Sequence, residues 1–298
     1  MRVLIAFDGS FGSAQAVALA EGINWPAGSA LHVVSVVEPA ALQLVPLLGV
    51  GTAPERLEQD ALEQVQADQG SVVDRLSAPD RTVDAVLLRD RPASGLVEQA
   101  LEFSADLMIV GSRGHGPIAS LVLGSVSAEI VDHAPCPVLV ARRSTIERVV
   151  FATDGSETAA AAEAILARWP IFAGLPIRVV SVADVVRPWT TGIAPTMYTQ
   201  VLNAYAKDVA EAEAEHLGIA REAAQRLAEA DRRATAEMRR GDAAAEIIAV
   251  AEESSADLII VGSRGQTGVK RIVLGSVARN VIAAGQASVL VIHRPTGN

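Results

Sequence analysis

The sequence predicts an α/β fold: two tandem doubly wound, Rossmann-like domains, each a five-stranded parallel sheet flanked by helices. Three observations carry that prediction. Short continuous apolar runs alternate with helical stretches along the chain, the pattern of buried parallel strands joined by crossover helices. The 298 residues suit two domains of about 150 residues each. The chain also repeats itself. VLIAFDGS at Val3–Ser10 matches VVFATDGS at Val149–Ser156 in five of eight positions, and GSRGHGPIASLVLGSV at Gly111–Val126 matches GSRGQTGVKRIVLGSV at Gly262–Val277 in nine of sixteen. These offsets, 146 and 151 residues, far exceed a solenoid period of about 20–50, so a whole domain is repeated. The expected domains are 1–144 and 145–298, joined near Arg142–Arg148.

The elements of the first copy follow in order. A β-branched run, Val3–Phe7, precedes an Ala-rich helical stretch near Ser13–Gly22. A second run, Ala30–Val37, leads through a variable segment to a polar helix near Glu55–Ser77. A third strand near Val83–Leu88 precedes a helix near Ser94–Ser104. The fourth run, Asp106–Gly111, opens into a glycine-rich segment and a helix near Ser125–His133, and Pro137–Ala141 closes the copy. The second copy keeps the order, with strands near Arg148–Ala152, Ile177–Val182, Thr235–Arg239, Asp257–Gly262 and Ser288–His293, and a long helix near Tyr198–Ala230. The charge run Glu211–Glu229 on that helix reads as a solvated face with Glu/Arg pairs at helical spacing.

Composition narrows the function classes. Aromatics are 3% of a chain that is 50% hydrophobic, so the cores are aliphatic and the stacking platforms of single-strand nucleic-acid modules are scarce. The net charge is −10, with 9 Arg against 17 acids up to Thr145 and 16 basic against 18 acidic residues beyond it, giving −8 and −2. Neither half carries the basic stripe that phosphate backbones demand, so no nucleic-acid partner is expected. Despite the positive mean hydropathy of +0.31, the longest apolar stretch, Pro39–Pro54, is broken by Gln43, Pro46, Gly49 and Gly51. A spanning helix needs about 20 mostly apolar residues, so no membrane segment is expected. The N-terminus reads as a strand rather than a leader. The lone Cys136 excludes an intrachain disulfide and reads as an apolar filler. A cytoplasmic location is expected.

The glycines carry the chemistry. In open α/β sheets ligands sit beyond the carboxyl ends of strands. There strand four runs into Gly111-Ser112-Arg113-Gly114, nine further residues, and Gly124-Ser125-Val126 opening a helix; the second copy has Gly262-Ser263-Arg264-Gly265 and Gly275-Ser276-Val277 at the same spacing. Gly111 and Gly114 are expected to allow close backbone approach and positive φ. The amides of Gly124–Val126 lie at a helix N-terminus, where unpaired N–H groups and the dipole favour phosphate. Ser125 and Ser276 are expected to cap the helix or donate to a phosphate oxygen. The alternative is a structural turn before a capped helix, and two copies with the same spacing favour the anion site. No Gly-Lys-Ser/Thr and no G-x-G-x-x-G follows strand one. Asp8 and Asp154, each followed by Gly-Ser at a strand end, suit a hydrogen bond to ribose or an amine, or else a helix cap.

The combination of G-x2-G-x9-G-S after a strand ending in Val-Gly with an N-terminal strand ending in Asp-Gly-Ser resembles the universal stress protein family, in its tandem-domain, ATP-binding form. The resemblance covers nearly the whole chain, once per half. It implies ATP as ligand, with Mg²⁺ a candidate companion, adenine at the ends of strands one and two and phosphates on the glycine loop. Carried over by position, it implies nucleoside contacts at Asp8 and Asp154, small residues at Ala6 and Ala152, and adenine-reading backbone at Val36 and Val182. The first part of the loop corresponds to Val110, Gly111, Ser112, Arg113, Gly114, His115 and Gly116, and to Val261, Gly262, Ser263, Arg264, Gly265, Gln266, Thr267 and Gly268. The second part corresponds to Gly124–Val126 and Gly275–Val277. A basic residue common in the middle of such loops is matched by Arg271, with Lys270 beside it, whereas the first copy has Ser120. Because charge-assisted contacts are the strong ones, the second half is expected to bind nucleotide more tightly. His115, replaced by Gln266 in the second copy, reads as no ligand on its own.

The fifth strands, Val138–Val140 and Val289–Val291, are apolar and terminal in each copy, an aggregation hazard unless covered. Pairing them would give an internal pseudo-dimer, the pairing the resemblance also implies; a homodimer of whole chains is a further candidate. Leu42–Val50 suits a lid or a packing contact. These readings point to a nucleotide-responsive regulatory protein with at most slow hydrolysis, since no Walker lysine or evident base accompanies the loop. The competing readings are a nucleotide-free interaction scaffold and an adenylating enzyme, which would place Ser-Gly-Gly-x-Asp-Ser after strand one.

Overall fold

A computed structural model describes residues 1–38, 54–112, 114, 123–185, 195–265 and 274–293. The first half runs β1 (Arg2–Ala6), α1 (Phe11–Gly22), β2 (Ser29–Val37), α2 (Pro54–Leu76), β3 (Arg81–Arg89), α3 (Pro92–Glu102), β4 (Leu107–Gly111), α4 (Ser125–His133) and β5 (Val138–Ala141). The second runs β6 (Val149–Ala152), α5 (Glu157–Arg168), β7 (Pro176–Ala183), α6 (Pro195–Glu229), β8 (Arg233–Arg240), α7 (Ala243–Glu253), β9 (Leu258–Gly262), α8 (Ser276–Ala284) and β10 (Ser288–Ile292). Every expected strand is present, with ends shifted by a residue or two. Leu42–Val50, read as a lid or a packing contact, lies outside the described residues.

The ten strands form one sheet, ordered β3-β2-β1-β4-β5-β10-β9-β6-β7-β8. Pairing is parallel within each half, and the halves join where β5 meets β10 antiparallel, Val138 opposite Val291, Leu139 opposite Leu290 and Val140 opposite Val289. Each fifth strand thereby covers the other's edge, which disposes of the hazard both carry in the sequence.

Successive strand residues point to opposite faces, and the core is split accordingly. Val3, Ile5, Leu139, Phe151 and Leu290 lie in one apolar layer with residues of α1, α2, α5 and α6. Leu4, Val138, Val140, Val289 and Val291 lie in the other with residues of α3, α4, α7 and α8. Both layers are continuous across the two halves. Cys136 is buried in the second layer, and burial pushes its thiol up to about 12, so it packs as an inert apolar group.

Local chemistry sets the strand-to-helix turns. Gly9 and Gly155 have φ of 76° and 75°, a left-handed conformation open to glycine at little cost. The chain then enters α1 and α5 through Ser10 and Ser156, whose hydroxyls accept from the amides of Ser13 and Ala159 at 3.2 and 3.3 Å, satisfying first-turn donors. Among the described residues no helix is long and apolar enough to cross a membrane.

Candidate functional site

The carboxyl ends of β1, β2 and β4 in the first half, and of β6, β7 and β9 in the second, converge with the N-termini of α4 and α8. Asp8 and Asp154 lie just beyond β1 and β6. Each holds its own turn closed: Oδ1 accepts from the amide of Ser10 at 3.0 Å and of Ser156 at 2.9 Å. The helix caps are therefore the serines, and the aspartates brace the turn from outside the helix. Their second oxygens face the loop. A Cβ at Gly114 would stand 3.0 Å from Asp8 Oδ2, and one at Gly265 would stand 2.8 Å from Asp154 Oδ2. The second glycine of G-x2-G leaves room for the strand-one acid.

The first glycine serves a different neighbour. A Cβ at Gly111 would meet the backbone of Gly12 and stand 2.7 Å from Ser13 N; one at Gly262 would meet the Thr158 hydroxyl. The expected close approach is present. The expected positive φ is absent at Gly111, as at its counterpart Gly262, because the demand there is contact distance rather than backbone handedness. The two parts of the loop are stapled by backbone bonds, Gly124 N donating to Ser112 O at 3.0 Å and Gly275 N to Ser263 O at 2.7 Å. In the second half the Ser156 and Thr158 hydroxyls both donate to the Arg264 carbonyl, tying the loop to the start of α5.

Ser125 and Ser276 do not cap their helices. The N-cap positions are Gly124 and Gly275, neither of which has a side chain to cap with, and the serines are the first helical residues, both exposed. By contrast α1, α5 and α7 are capped by Ser10, Ser156 and Asp242. Among the described residues, the N-cap positions of α4 and α8 thus offer no side-chain acceptor to the first-turn amides, unlike those of α1, α5 and α7.

Ala6, Ala152, Val36 and Val182 line cavities at the strand ends, with Val110 and Val261 buried beneath. Arg113, His115, Gly116, Gln266, Thr267, Gly268 and Arg271 lie outside the described residues, as do Ser120 and Lys270. The two cavities differ greatly in size among the described residues. The second-half cavity holds about 510 Å³ and the first-half cavity about 90 Å³. At equivalent places Phe7 stands where the second half has Thr153, and Pro92 where it has Ala243. Sequence reasoning missed Ala243, Ile247 and Leu274, which complete the larger cavity. Ala243 and Ile247 lie outside the motifs, where only their place in the repeat could have indicated them, and Leu274 lies within the loop motif, just before Gly275.

Beside this cavity runs the seam between the halves. His293, just after β10, has Nε2 2.7 Å from the Val131 carbonyl of α4, so Nε2 carries a proton and donates. Arg142, its equivalent in the first half, donates through its guanidinium to the Ile282 carbonyl of α8. Burial is the main cause that holds the His293 imidazole below its ordinary 6.5; the Arg264 charge acts the same way, against the opposing Val131 and Cys136 carbonyls and Asp132. The neutral imidazole is thus the form the fold accepts. Above about 6.5 folded and unfolded chains are both neutral there, and as pH falls the unfolded chain takes the proton first, so stability is lost on acidification. His293→Gln, which keeps a donor, is expected to flatten the loss of unfolding free energy between about pH 7 and about pH 5. Burial also lowers His32, so the slope shrinks rather than vanishes. Urea titrations at both pH values check this; an unchanged slope would refute it.

Comparison with known proteins gives a consistent result. The model of the universal stress protein family matches residues 1–142 and again 145–293. A universal stress protein of Thermus aquaticus is 37% identical over 140 residues, covering 47% of this chain and 97% of its own. The universal stress protein Mb2028c of Mycobacterium bovis is 26% identical over 255 residues, 80% of this chain and 78% of its own. The crystal structure of a universal stress protein from Archaeoglobus fulgidus superposes with a TM-score of 0.65 at 17% identity over 98% of this chain and 96% of that one, which is likeness of fold.

Proposed function

Because the chain belongs to the universal stress protein family, we propose that it is a cytoplasmic nucleotide-responsive regulatory protein whose second half binds ATP. The observation that carries this reading is the cavity of about 510 Å³, whose two ends differ in chemistry. Val180, Val182, Ala243 and Ile247 form an apolar slot suited to a base. Arg264, Gly265 and the uncapped start of α8 at Gly275–Val277 form the other wall, suited to phosphates by amide donation, dipole and charge. Asp154 lies between, within reach of ribose hydroxyls. Mg²⁺, held by the nucleotide's own phosphates, is the proposed companion ion. The first half, with a cavity of about 90 Å³, takes ATP weakly. A homodimer of whole chains is not required, since β5 and β10 already cover one another.

Isothermal titration with ATP is the test, and one tight equivalent per chain is the expected result. Gly275→Val keeps an ordinary backbone, φ being −62°, but fills the phosphate wall; it should weaken ATP by about thirtyfold or more, on the order of 2 kcal/mol of charge-assisted hydrogen bonding. Gly124→Val should leave the tight site intact. Two equal sites, or none, would overturn the reading.

A further inference from the structure

We infer that the second half's phosphate loop is positioned by a residue of the first half, Asp132 at the end of α4. This rests on the ATP reading above and adds a regulatory element to it. Asp132 Oδ1 accepts from the backbone amide of Leu274 at 3.4 Å, across 142 residues of sequence, and lies 3.7 Å from Arg279 Nη2. Leu274 is the residue before Gly275, so the carboxylate grips the chain where the loop returns to open α8. Arg279, in the first turn of α8, balances its charge, which keeps the carboxylate from simply repelling an anion seated nearby.

Two features separate this from an incidental surface contact. Asp132 stands one residue from the C-terminus of α4, where the helix dipole disfavours an acid. Its own helix gives no reason for a carboxylate there. In the other half the equivalent position is Ala283, on α8, so the fold does not need an acid at this place and the first half's loop receives no such grip at Leu123. The same end of α4 also accepts from His293 through the Val131 carbonyl, which fixes the helix end that presents Asp132. The first half thus acts as a built-in regulatory subunit for the second site: whatever moves the end of α4 changes how well that loop is preorganised.

The test uses the full chain with two variants and two readouts. In Asp132→Ala, amide hydrogen exchange at Leu274 without nucleotide should accelerate about tenfold, and the ATP dissociation constant should rise about five- to tenfold. In Asp132→Asn, whose amide oxygen still accepts, both should stay within about twofold of wild type. Rescue by Asn is the outcome a merely structural or charge-based role would not give. Unchanged exchange at Leu274 in Asp132→Ala would overturn the inference, as would unchanged or tighter ATP binding, and so would an Asn variant that behaves like Ala. If wild type takes up no ATP, the functional reading fails, while the exchange measurement still decides whether Asp132 positions the loop.

Discussion

Leu290→Asp is expected to destabilise the chain by about 5 kcal/mol, enough to unfold a domain of ordinary stability. Leu290 is 1% exposed and sits opposite Leu139, itself 2% exposed, in the antiparallel register that joins the halves. Removing a buried leucine side chain alone costs about 2–5 kcal/mol. The carboxylate adds an unpaired charge in an apolar layer that runs through both halves, where nothing in the leucine's surroundings replaces its hydration. Leu290→Ala should therefore cost markedly less than Leu290→Asp. Urea unfolding followed by circular dichroism gives both values. A loss below about 1 kcal/mol for the aspartate variant would mean that the sheet is not continuous across β5 and β10 in solution.

Gly111→Ala carries the second largest expected cost, about 3 kcal/mol. The new Cβ would stand 2.6 Å from the Gly12 carbonyl oxygen and 2.7 Å from the Ser13 amide nitrogen. Both are backbone of α1, so no rotamer change relieves the clash; the helix itself must retreat from β4. At the equivalent Gly262 the nearest group is the Thr158 side chain, with the Ala159 amide at 3.1 Å. Part of the strain there can be released by turning a side chain, and Gly262→Ala is expected to cost about 1–2 kcal/mol. The contrast is informative because the substitution is the same. Equal costs at the two glycines, measured by urea unfolding, would show that the backbone contact in the first half yields more readily than close packing allows.

The central strands were legible because they are short aliphatic runs with one residue after another buried, as in Leu107–Gly111 and Val138–Ala141; the outer strands β3 and β8 carry charged residues and no fully buried ones, and were placed by the repeat order. The glycine spacing was legible because it occurs twice. Details of the site were less so. The sequence suggested serine caps at Ser125 and Ser276, but Gly-Ser reads the same whether glycine or serine takes the cap, and only the backbone path decides between them. The role of Gly265 toward Asp154 was hidden because the two meet across 111 residues. The exchanges of Phe7 for Thr153 and Pro92 for Ala243 between the two cavities are unremarked in a strand end and a helix start until both face one space. Asp132 was invisible for a related reason, since its partner belongs to the other half.

The antiparallel join of β5 to β10 has an evolutionary consequence. In a dimer of identical subunits every substitution appears on both sides of the axis, so a carboxylate that helps one site must be tolerated at its twin. Fusion into one chain lifts that restriction: Asp132 could arise while Ala283 stayed apolar. It also removes dissociation as a variable, because tethered partners do not separate on dilution. A duplicated gene that kept its pairing surface could then let the cavities of the two halves diverge.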